Sequence, residues 1–343
     1  MKGMKGAQMS VSGPETGKLP SVSVVMPAWN AEKYIREAID SILAQTMTDF
    51  EFIIVDDNSS DSTPQILAEY ARRDPRVKTL RNEQNVGGGQ SRNVGLAVAR
   101  APLFITPDAD DMCVPERLAK QKEFLDTHPD IAAVFNSFTV VNADGEFVAV
   151  KEIRWNAATM SKLLHRRCVL GHHAGMYRAD VFRGIGGYKA KLWLAQDWDM
   201  LIRLTSAAKI AVMREPLYKQ RMHFSNTKAR FRAIRPAYHA AVLQLDSDRK
   251  SGVAESSMNI TVPEVPLDLQ HGQEEQHYYW ILTKIAIGEG EYRNAFRYLR
   301  LYSKTNRLKT FPRAMFILAA VPVRAFLQAL GIVKWVERIF QGK

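Results

Sequence analysis

Cysteine and long apolar runs are scarce in this chain, and each of these features excludes a class of protein. Its 343 residues include only Cys113 and Cys168, which are too few and too far apart for a disulfide framework or a Cys-x-x-Cys metal site. No apolar run reaches the ~18–20 residues of a membrane span, and the nearest, 314–323, contains Pro322. The first twenty residues lack the apolar core of a signal peptide. We therefore expect a cytoplasmic protein with reduced thiols.

The remaining composition is that of an ordinary globular protein with excess positive charge. With 46% hydrophobic and 24% charged residues, the chain is not collagen-like, of low complexity or largely disordered. Its 47 Lys and Arg against 36 Asp and Glu give a net charge of +11, which suits nucleic acid, a lipid headgroup or a phosphorylated substrate. We expect no nucleic-acid partner, because no binding module is recognisable and the basic residues concentrate in the C-terminal segments.

The first 150 residues alternate between short apolar segments and segments of helical period. Strands are predicted at 21–26, 52–55, 77–80 and 103–106, and helices at 35–43, 62–73 and 87–100. This alternation predicts an α/β domain with a mostly parallel sheet and helices on both faces. Ligands of such sheets bind at the carboxyl ends of the strands, so the loops that follow the strands are the place to look for function.

The later part of the chain is less regular. A helix is predicted at 115–128, a β-hairpin around 142–145, a helix at 198–207, and strands at 210–213 and 217–222. A polar linker is predicted at residues 251–272. Two helices are predicted at 276–287 and 292–302, joined at Gly288-Glu289-Gly290. The chain thus has a strand-and-helix part followed by a helical extension.

Small or acidic residues follow each of the four N-terminal strands. The loops are 27–30 (Pro-Ala-Trp-Asn), 56–59 (Asp-Asp-Asn-Ser), 85–88 (Asn-Val-Gly-Gly) and 108–111 (Asp-Ala-Asp-Asp). Asp108 and Asp110 project to the same side of an extended segment. Acidic residues that hold a phosphate-bearing ligand require a divalent cation between them, and carboxylate oxygens suit Mg²⁺ or Mn²⁺. The sequence predicts one crevice with such a cation.

Four segments, taken in order, carry a resemblance to a known family. They are SVSVVMPAWNAEKYIREAIDSILAQ, FEFIIVDDNSSDST, RNEQNVGGGQSRNVGLAVAR and PLFITPDADDMCVPERL. Together they resemble the family 2 glycosyltransferases, over about residues 20–230. The resemblance implies a GT-A type fold, with a Rossmann-like, mostly parallel sheet and helices on both faces. We expect a disordered tail over 1–19, this domain over 20–230, a linker and helical hairpin over 231–310, and an amphipathic basic segment over 311–343.

The resemblance also implies which residues bind the nucleotide. The base pocket would be lined by Pro27, Ala28, Trp29 and Asn30, with the Trp29 ring stacked on the base or packed in the core. Asp56 or Asp57 would accept a hydrogen bond from a base N–H group.

The third and fourth loops would serve the phosphates and the metal. By resemblance, Gly87 forms a turn beside the nucleotide, and Arg92 either binds phosphate or forms a structural ion pair. Asp108 would reach the ribose and Asp110 the metal-bound diphosphate, with Asp111 as a second candidate ligand for Mn²⁺ or Mg²⁺.

The predicted catalytic base is Asp197, in the segment Ala195-Gln196-Asp197-Trp198-Asp199 at a helix start. The segment resembles the family's Glu-Asp motif, with Gln196 in place of the usual Glu. The alternative is that Asp197 or Asp199 only caps the helix.

Two further residues complete the implied site. The segment 218–225 resembles the family's Tyr-Arg-x-His-x-x-Ser motif with Gln220 inserted, so Arg221 would clamp the diphosphate and His223 could bind the metal. Of the adjacent His172 and His173, we expect one on the acceptor side and the other facing solvent.

The expected reaction is inverting transfer of a sugar from a nucleotide-diphosphate sugar to an acceptor hydroxyl of a saccharide or lipid-linked saccharide. The alternatives are transfer to a polyprenyl phosphate and nucleotide-sugar binding without turnover. Residues 311–340 have apolar positions at i+3 and i+4 steps with cations beside them. They predict an interfacial helix that places the enzyme peripherally on the cytoplasmic face of a membrane, or a helix that packs on the core.

Overall fold

The computed structural model describes residues 7–9, 18–223, 233–258, 260–265 and 274–305. The chain divides into two compact units. Unit 1 comprises 1–138, 152–220 and 233–265, and unit 2 comprises 139–151, 221–232 and 266–343. The basic segment predicted over 311–340 and most of the predicted N-terminal tail lie outside the described residues.

The described strands form one sheet whose centre is parallel. They are β1 (Ala7–Met9), β2 (Val22–Ala28), β3 (Phe50–Asp56), β4 (Val77–Asn82), β5 (Leu103–Ile105), β6 (Met112–Cys113), β7 (Ile131–Val141), β8 (Phe147–Lys151), β9 (Gly175–Arg178) and β10 (Lys209–Arg221). Their order is β1-β4-β3-β2-β5-β9-β7-β10-β6, and β8 pairs with β7. Strands β4, β3, β2 and β5 run parallel, whereas β9 is antiparallel to both β5 and β7. The four strands predicted to be parallel are confirmed.

Helices cover both faces of this sheet, as predicted. They are α1 (Ile35–Leu43), α2 (Thr63–Arg73), α3 (Gly88–Val98), α4 (Arg117–Thr127), α5 (Ala157–Leu164), α6 (Ala179–Gly184), α7 (Gln196–Ala207), α8 (Arg235–Lys250), α9 (Glu274–Gly288) and α10 (Tyr292–Thr305). Successive residues of a strand point to opposite faces, so Val24 joins a core with α1 and α2, and Val25 joins a core with α3 and α7.

Two strands differ from the sequence prediction at a proline. β2 continues through Pro27 to Ala28, because β5 is in register only with Val22–Val24 and its ladder has ended before Pro27. β10 is one strand where two were predicted, since Pro216 lies in an exposed stretch of it. Three residues of the predicted tail also form β1, which pairs antiparallel with β4 at the edge of the sheet.

Unit 1 extends beyond the boundary predicted at residue 230. Helix α8 buries Tyr238, Val242 and Leu245 in the core that contains α7. The segment 251–265, predicted as a polar linker, packs partly buried apolar side chains on the same core, and the Tyr238 hydroxyl donates to Pro263 O at 2.7 Å. The strand-and-helix unit therefore ends near Val265 in the described part of the chain.

Unit 2 joins the predicted β-hairpin to the predicted helical hairpin. The β7–β8 turn contains Gly145 at φ +82°, and its Ala143 N–H donates to the Tyr278 hydroxyl of α9 at 2.9 Å. Lys151 on β8 pairs with Glu289 at 2.7 Å. Among the described helices, none combines the length and apolarity that crossing a bilayer requires.

Candidate active site

Three aspartates meet directly after β5. Carboxylate oxygens of Asp108, Asp110 and Asp111 all lie within 4.8 Å of one another. Asp111 is buried, whereas Asp108 and Asp110 are partly exposed. Three carboxylates at this spacing repel one another unless a cation lies between them, and oxygen ligands are those that Mg²⁺ and Mn²⁺ prefer. The cluster fits a divalent cation reached from solvent.

A tyrosine on β10 fixes two members of this cluster. The Tyr218 hydroxyl donates to Asp111 Oδ2 at 2.8 Å and accepts from the Asp108 N–H at 3.1 Å. Its ring stacks on His173 with the centroids 4.9 Å apart. Burial, together with the charges of Asp111 and Asp108, raises the pKa of Tyr218 well above its ordinary value. The hydroxyl therefore keeps its proton and remains a donor to Asp111.

Arg92 connects the aspartate cluster to a second group of residues. It lies on α3, is 4% exposed, and forms an ion pair with Asp108. Its guanidinium lies over the Tyr188 ring, 5.8 Å from the centroid. Burial raises the pKa of Tyr188 to about 12, and the neighbouring charges of Arg92, Asp197 and Asp108 also act on it. Arg92 therefore bridges Asp108 and the Tyr188 ring.

The two aspartates of α7 have different surroundings. The N-cap is Ala195, so neither aspartate occupies that position. Asp199 is fully buried and pairs with Arg203 at 2.8 Å and Arg249 at 2.6 Å, which makes it a structural residue. Asp197 is 35% exposed, and its Oδ2 lies 3.6 Å from His172 Nδ1. It lies in the first turn of α7.

The glycine-rich loop is held by Asp57. Its carboxylate accepts hydrogen bonds from Asn82 Nδ2 at 2.8 Å, Val86 N at 2.9 Å and Gly87 N at 2.8 Å. Gly87 has φ +82°, and a Cβ there would lie 1.1 Å from Trp193 Nε1, which donates to Val86 O. Asp57 thus organises the loop beside α3.

Gln196, which replaces the usual glutamate, packs on that same loop. A Cβ on Gly89 would lie 2.0 Å from Gln196 Oε1, so the amide lies against the first turn of α3. The residue next to Asp197 therefore links α7 to the glycine-rich loop.

The first two loops are tied together at the ends of β2 and β3. Asn30, in the left-handed region at φ +46°, donates through its N–H to Ser59 Oγ at 3.0 Å. Asp56 is buried, accepts from Ser59 N at 3.0 Å and pairs with Arg81 at 2.8 Å. Trp29 is only partly buried. Pro27 and Ala28 precede it within β2 rather than in the loop.

The two remaining predicted residues belong to unit 2. Arg221 is 2% exposed and donates from Nη1 to Ala143 O in the β7–β8 turn at 3.0 Å. His223 is also buried. Their roles toward a diphosphate and a metal stay predictions.

One expectation about the histidine pair is wrong. His172 and His173 lie in a short 3₁₀ turn, and both are buried, at 7% and 5% exposure, so neither faces solvent. The turn packs its rings inward against Tyr188 and Tyr218. The sequence placed Tyr218 in the motif at 218–225 without assigning its hydroxyl, and it gave no role to Trp193, because an indole that serves a distant loop leaves no local pattern.

Comparison with known proteins identifies the family. A model described as glycosyl transferase family 2 matches residues 23–186. An uncharacterized glycosyltransferase of Methanocaldococcus jannaschii is 33% identical over 207 residues, which is 59% of this chain and 71% of that protein. The hyaluronan synthase of Pasteurella multocida is 26% identical over 243 residues, 71% of this chain but only 24% of the synthase.

The fold is shared with a solved structure as well. The crystal structure of S. aureus TarS, residues 1–349, is 22% identical, with a TM-score of 0.55 over 89% of this chain and 82% of that one. The likeness to TarS shows the fold, whereas the sequence relatives show the family. The chain is a member of glycosyl transferase family 2, with the GT-A fold and glycosyltransferase activity.

Proposed function

We propose that this chain transfers a sugar from a nucleoside-diphosphate sugar to an acceptor hydroxyl with inversion, with Asp197 as the base. The observation that carries the proposal is that Asp108 and Asp197 both lie close to Tyr188. Asp108 pairs with Arg92, whose guanidinium lies over the Tyr188 ring, and Asp197 lies beside His172, whose ring packs on Tyr188. A donor site and a base belong side by side in such a reaction.

The aspartate cluster supplies the donor side of the proposal. Asp110 and Asp111 would hold Mn²⁺ or Mg²⁺, and Asp108 would contact the ribose. A bound cation would neutralise charge on the diphosphate as it leaves. The 4.8 Å spread of the three carboxylates and the hydrogen bond from Tyr218 support this assignment.

The nucleotide would occupy the loops at the ends of β2, β3 and β4. The hydrogen bonds that join Asn30 to Ser59 and Asp57 to Gly87 support one continuous surface there. We assign the base to Trp29 and to Asp56 or Asp57, and the diphosphate to Arg92 and Arg221, with His223 as a further metal ligand. TarS has been solved in complex with UDP and with UDP-GlcNAc, and we extend that kind of donor to this chain.

On the acceptor side, Asp197 takes the proton of the hydroxyl as its oxygen attacks the anomeric carbon. The bond from that carbon to the diphosphate breaks on the opposite face, through an oxocarbenium-like state. Hyaluronan synthase and chondroitin synthase are among the sequence relatives, so we propose a saccharide or lipid-linked saccharide acceptor. Peripheral membrane contact through 311–340 remains part of this proposal.

A donor screen tests the proposal. Purified protein with Mn²⁺ is incubated with a panel of UDP-, GDP- and dTDP-sugars, and nucleotide release is measured. We expect release from a subset of donors and a fall of about 10²-fold or more in Asp197→Asn. Asp180→Asn is the matched control, because Asp180 is exposed on α6. Unchanged release in Asp197→Asn would remove that residue from the mechanism.

A further inference from the structure

His172 is held in one backbone position by three buried side chains. Its own carbonyl accepts from the Tyr177 hydroxyl at 2.6 Å, the His173 carbonyl accepts from Arg117 Nη2 at 2.7 Å, and the Ala174 carbonyl accepts from Gln121 Nε2 at 3.0 Å. Every carbonyl of the turn is therefore engaged. These bonds fix the backbone from which the His172 ring projects.

The ring itself has no such partners. It is more than nine-tenths buried, and neither Nδ1 nor Nε2 has a hydrogen-bond partner among the described residues. Its edge packs against Tyr188, with the centroids 5.9 Å apart. A buried polar group without a partner loses the hydrogen bonds that it would make in water, so its retention calls for an explanation. Nδ1 lies 3.6 Å from Asp197 Oδ2, slightly beyond hydrogen-bond distance.

We propose that His172 is a positioning residue for Asp197, which donates from Nδ1–H to that carboxylate when donor and acceptor are bound. The inference rests on the proposed function, because it presupposes that Asp197 is the base. Hydrogen bonds of catalytic groups are often long before substrates bind and shorten afterwards.

In this role His172 acts only as a hydrogen-bond donor. As the acceptor oxygen bonds to the anomeric carbon, its proton passes to one oxygen of Asp197, and the electrons of the breaking carbon–oxygen bond leave with the diphosphate. His172 keeps its own proton and holds the other carboxylate oxygen. It thereby fixes which oxygen faces the acceptor and favours the ionised form beforehand.

A substitution series separates this role from a structural one. In the donor assay, with water as the acceptor, we expect His172→Leu to lower kcat by about 10-fold to 100-fold, with KM for the donor changed by less than about threefold. His172→Asn, whose amide N–H can replace Nδ1–H, should recover most of the loss. His165→Leu is the matched control, because His165 pairs with Asp246 instead. Wild-type kcat in His172→Leu, or a loss confined to KM, would overturn the proposal.

A double-mutant cycle isolates the pair. If His172 acts through Asp197, then Asp197→Asn with His172→Leu should be no slower than Asp197→Asn alone. Independent, additive losses would contradict the proposal. If Asp197→Asn retains activity, the proposed function is wrong. If Asp197→Asn is inactive while His172→Leu is fully active, only the role proposed for His172 is wrong.

A second readout needs no turnover. In protein with ¹⁵N-labelled histidine, we expect His172 in saturating nucleoside diphosphate to carry its proton on Nδ1, and its Nδ1 resonance to move in Asp197→Asn. The proton on Nε2, with no response to Asp197→Asn, would overturn the proposal.

Discussion

At the scale of single residues, the sequence points to the carboxylates but not to the groups that orient them. Asp108, Asp110 and Asp111 can be found from their place after a strand, because strand ends of a parallel sheet meet at one edge. Tyr218 and His172 stand in segments that the sequence singled out, but their contacts with Asp111 and Asp197 could not be predicted, since each contact joins residues more than 20 positions apart. Either Asp56 or Asp57 was predicted to accept a hydrogen bond from the base, and the oxygens of Asp57 already accept three hydrogen bonds within the protein.

Gly87 offers a residue-scale test of that loop. We expect Gly87→Ala to lower the free energy of unfolding by about 1–3 kcal/mol, because its φ of +82° is unfavourable for alanine and a Cβ would overlap Trp193. Urea denaturation measures the loss, and nucleotide release should fall with it. Gly252→Ala is the control, since Gly252 has φ +77° and a Cβ there would meet no heavy atom within 4 Å. Equal losses in the two variants would show that overlap with Trp193 adds nothing to the destabilisation by Gly87→Ala.

At the scale of elements, periodicity identified the central strands and the helices around them. It missed α8, although Tyr238, Ala241, Val242 and Leu245 recur at helical spacing and are all buried. Short elements such as β9 and α6 contain too few residues for a period. Both boundary errors occur at a proline, Pro27 beyond the β5 ladder and Pro216 in an exposed stretch of β10.

Glu51 joins three of the parallel elements through one buried carboxylate. It accepts from Ser23 Oγ on β2 and from Arg100 N, both at 2.7 Å, and pairs with Lys78 on β4 at 3.2 Å. Burial alone would raise the pKa of Glu51, but these bonds outweigh it and lower the pKa below 4.5. A lowered pKa means that the stabilisation is present above the unfolded pKa and is lost as pH falls.

We therefore expect Glu51→Gln to lower the free energy of unfolding by about 1–3 kcal/mol near pH 7. The difference from wild type should be smaller near pH 3 than at pH 7, because the stabilisation is lost as the carboxylate takes up a proton. Denaturant titrations at the two pH values provide the measurement, with the exposed Glu123→Gln as control. A difference that is constant with pH would mean that the charge of Glu51 does not stabilise the sheet.

At the scale of the whole molecule, the family and the fold class could be predicted from the four segments that contain the strand-end loops. The division of the chain into two units could not. The boundary predicted at residue 230 falls short of the compact unit, which includes α8 and continues to Val265. Residues 139–151, which comprise the end of β7, the turn and β8, belong with α9 and α10 instead. This association between segments more than 100 residues apart is encoded by no local pattern. Of the implied site, Asp108 and Asp197 lie in unit 1, and Arg221 and His223 in unit 2.

The central claim is that the aspartate cluster binds the donor through a metal while Asp197 performs the transfer. Calorimetric titration tests it most directly, with the nucleoside diphosphate identified in the release screen and with Mn²⁺ or EDTA present. We predict that Mn²⁺ tightens binding in the wild type and in Asp197→Asn, and that Asp110→Asn or Asp111→Asn loses this gain by about 10-fold or more, which is about 1.4 kcal/mol. Asp197→Asn should bind normally and yet fail to turn over. Metal-dependent binding that is unchanged in both cluster variants, or binding lost together with turnover in Asp197→Asn, would contradict the claim.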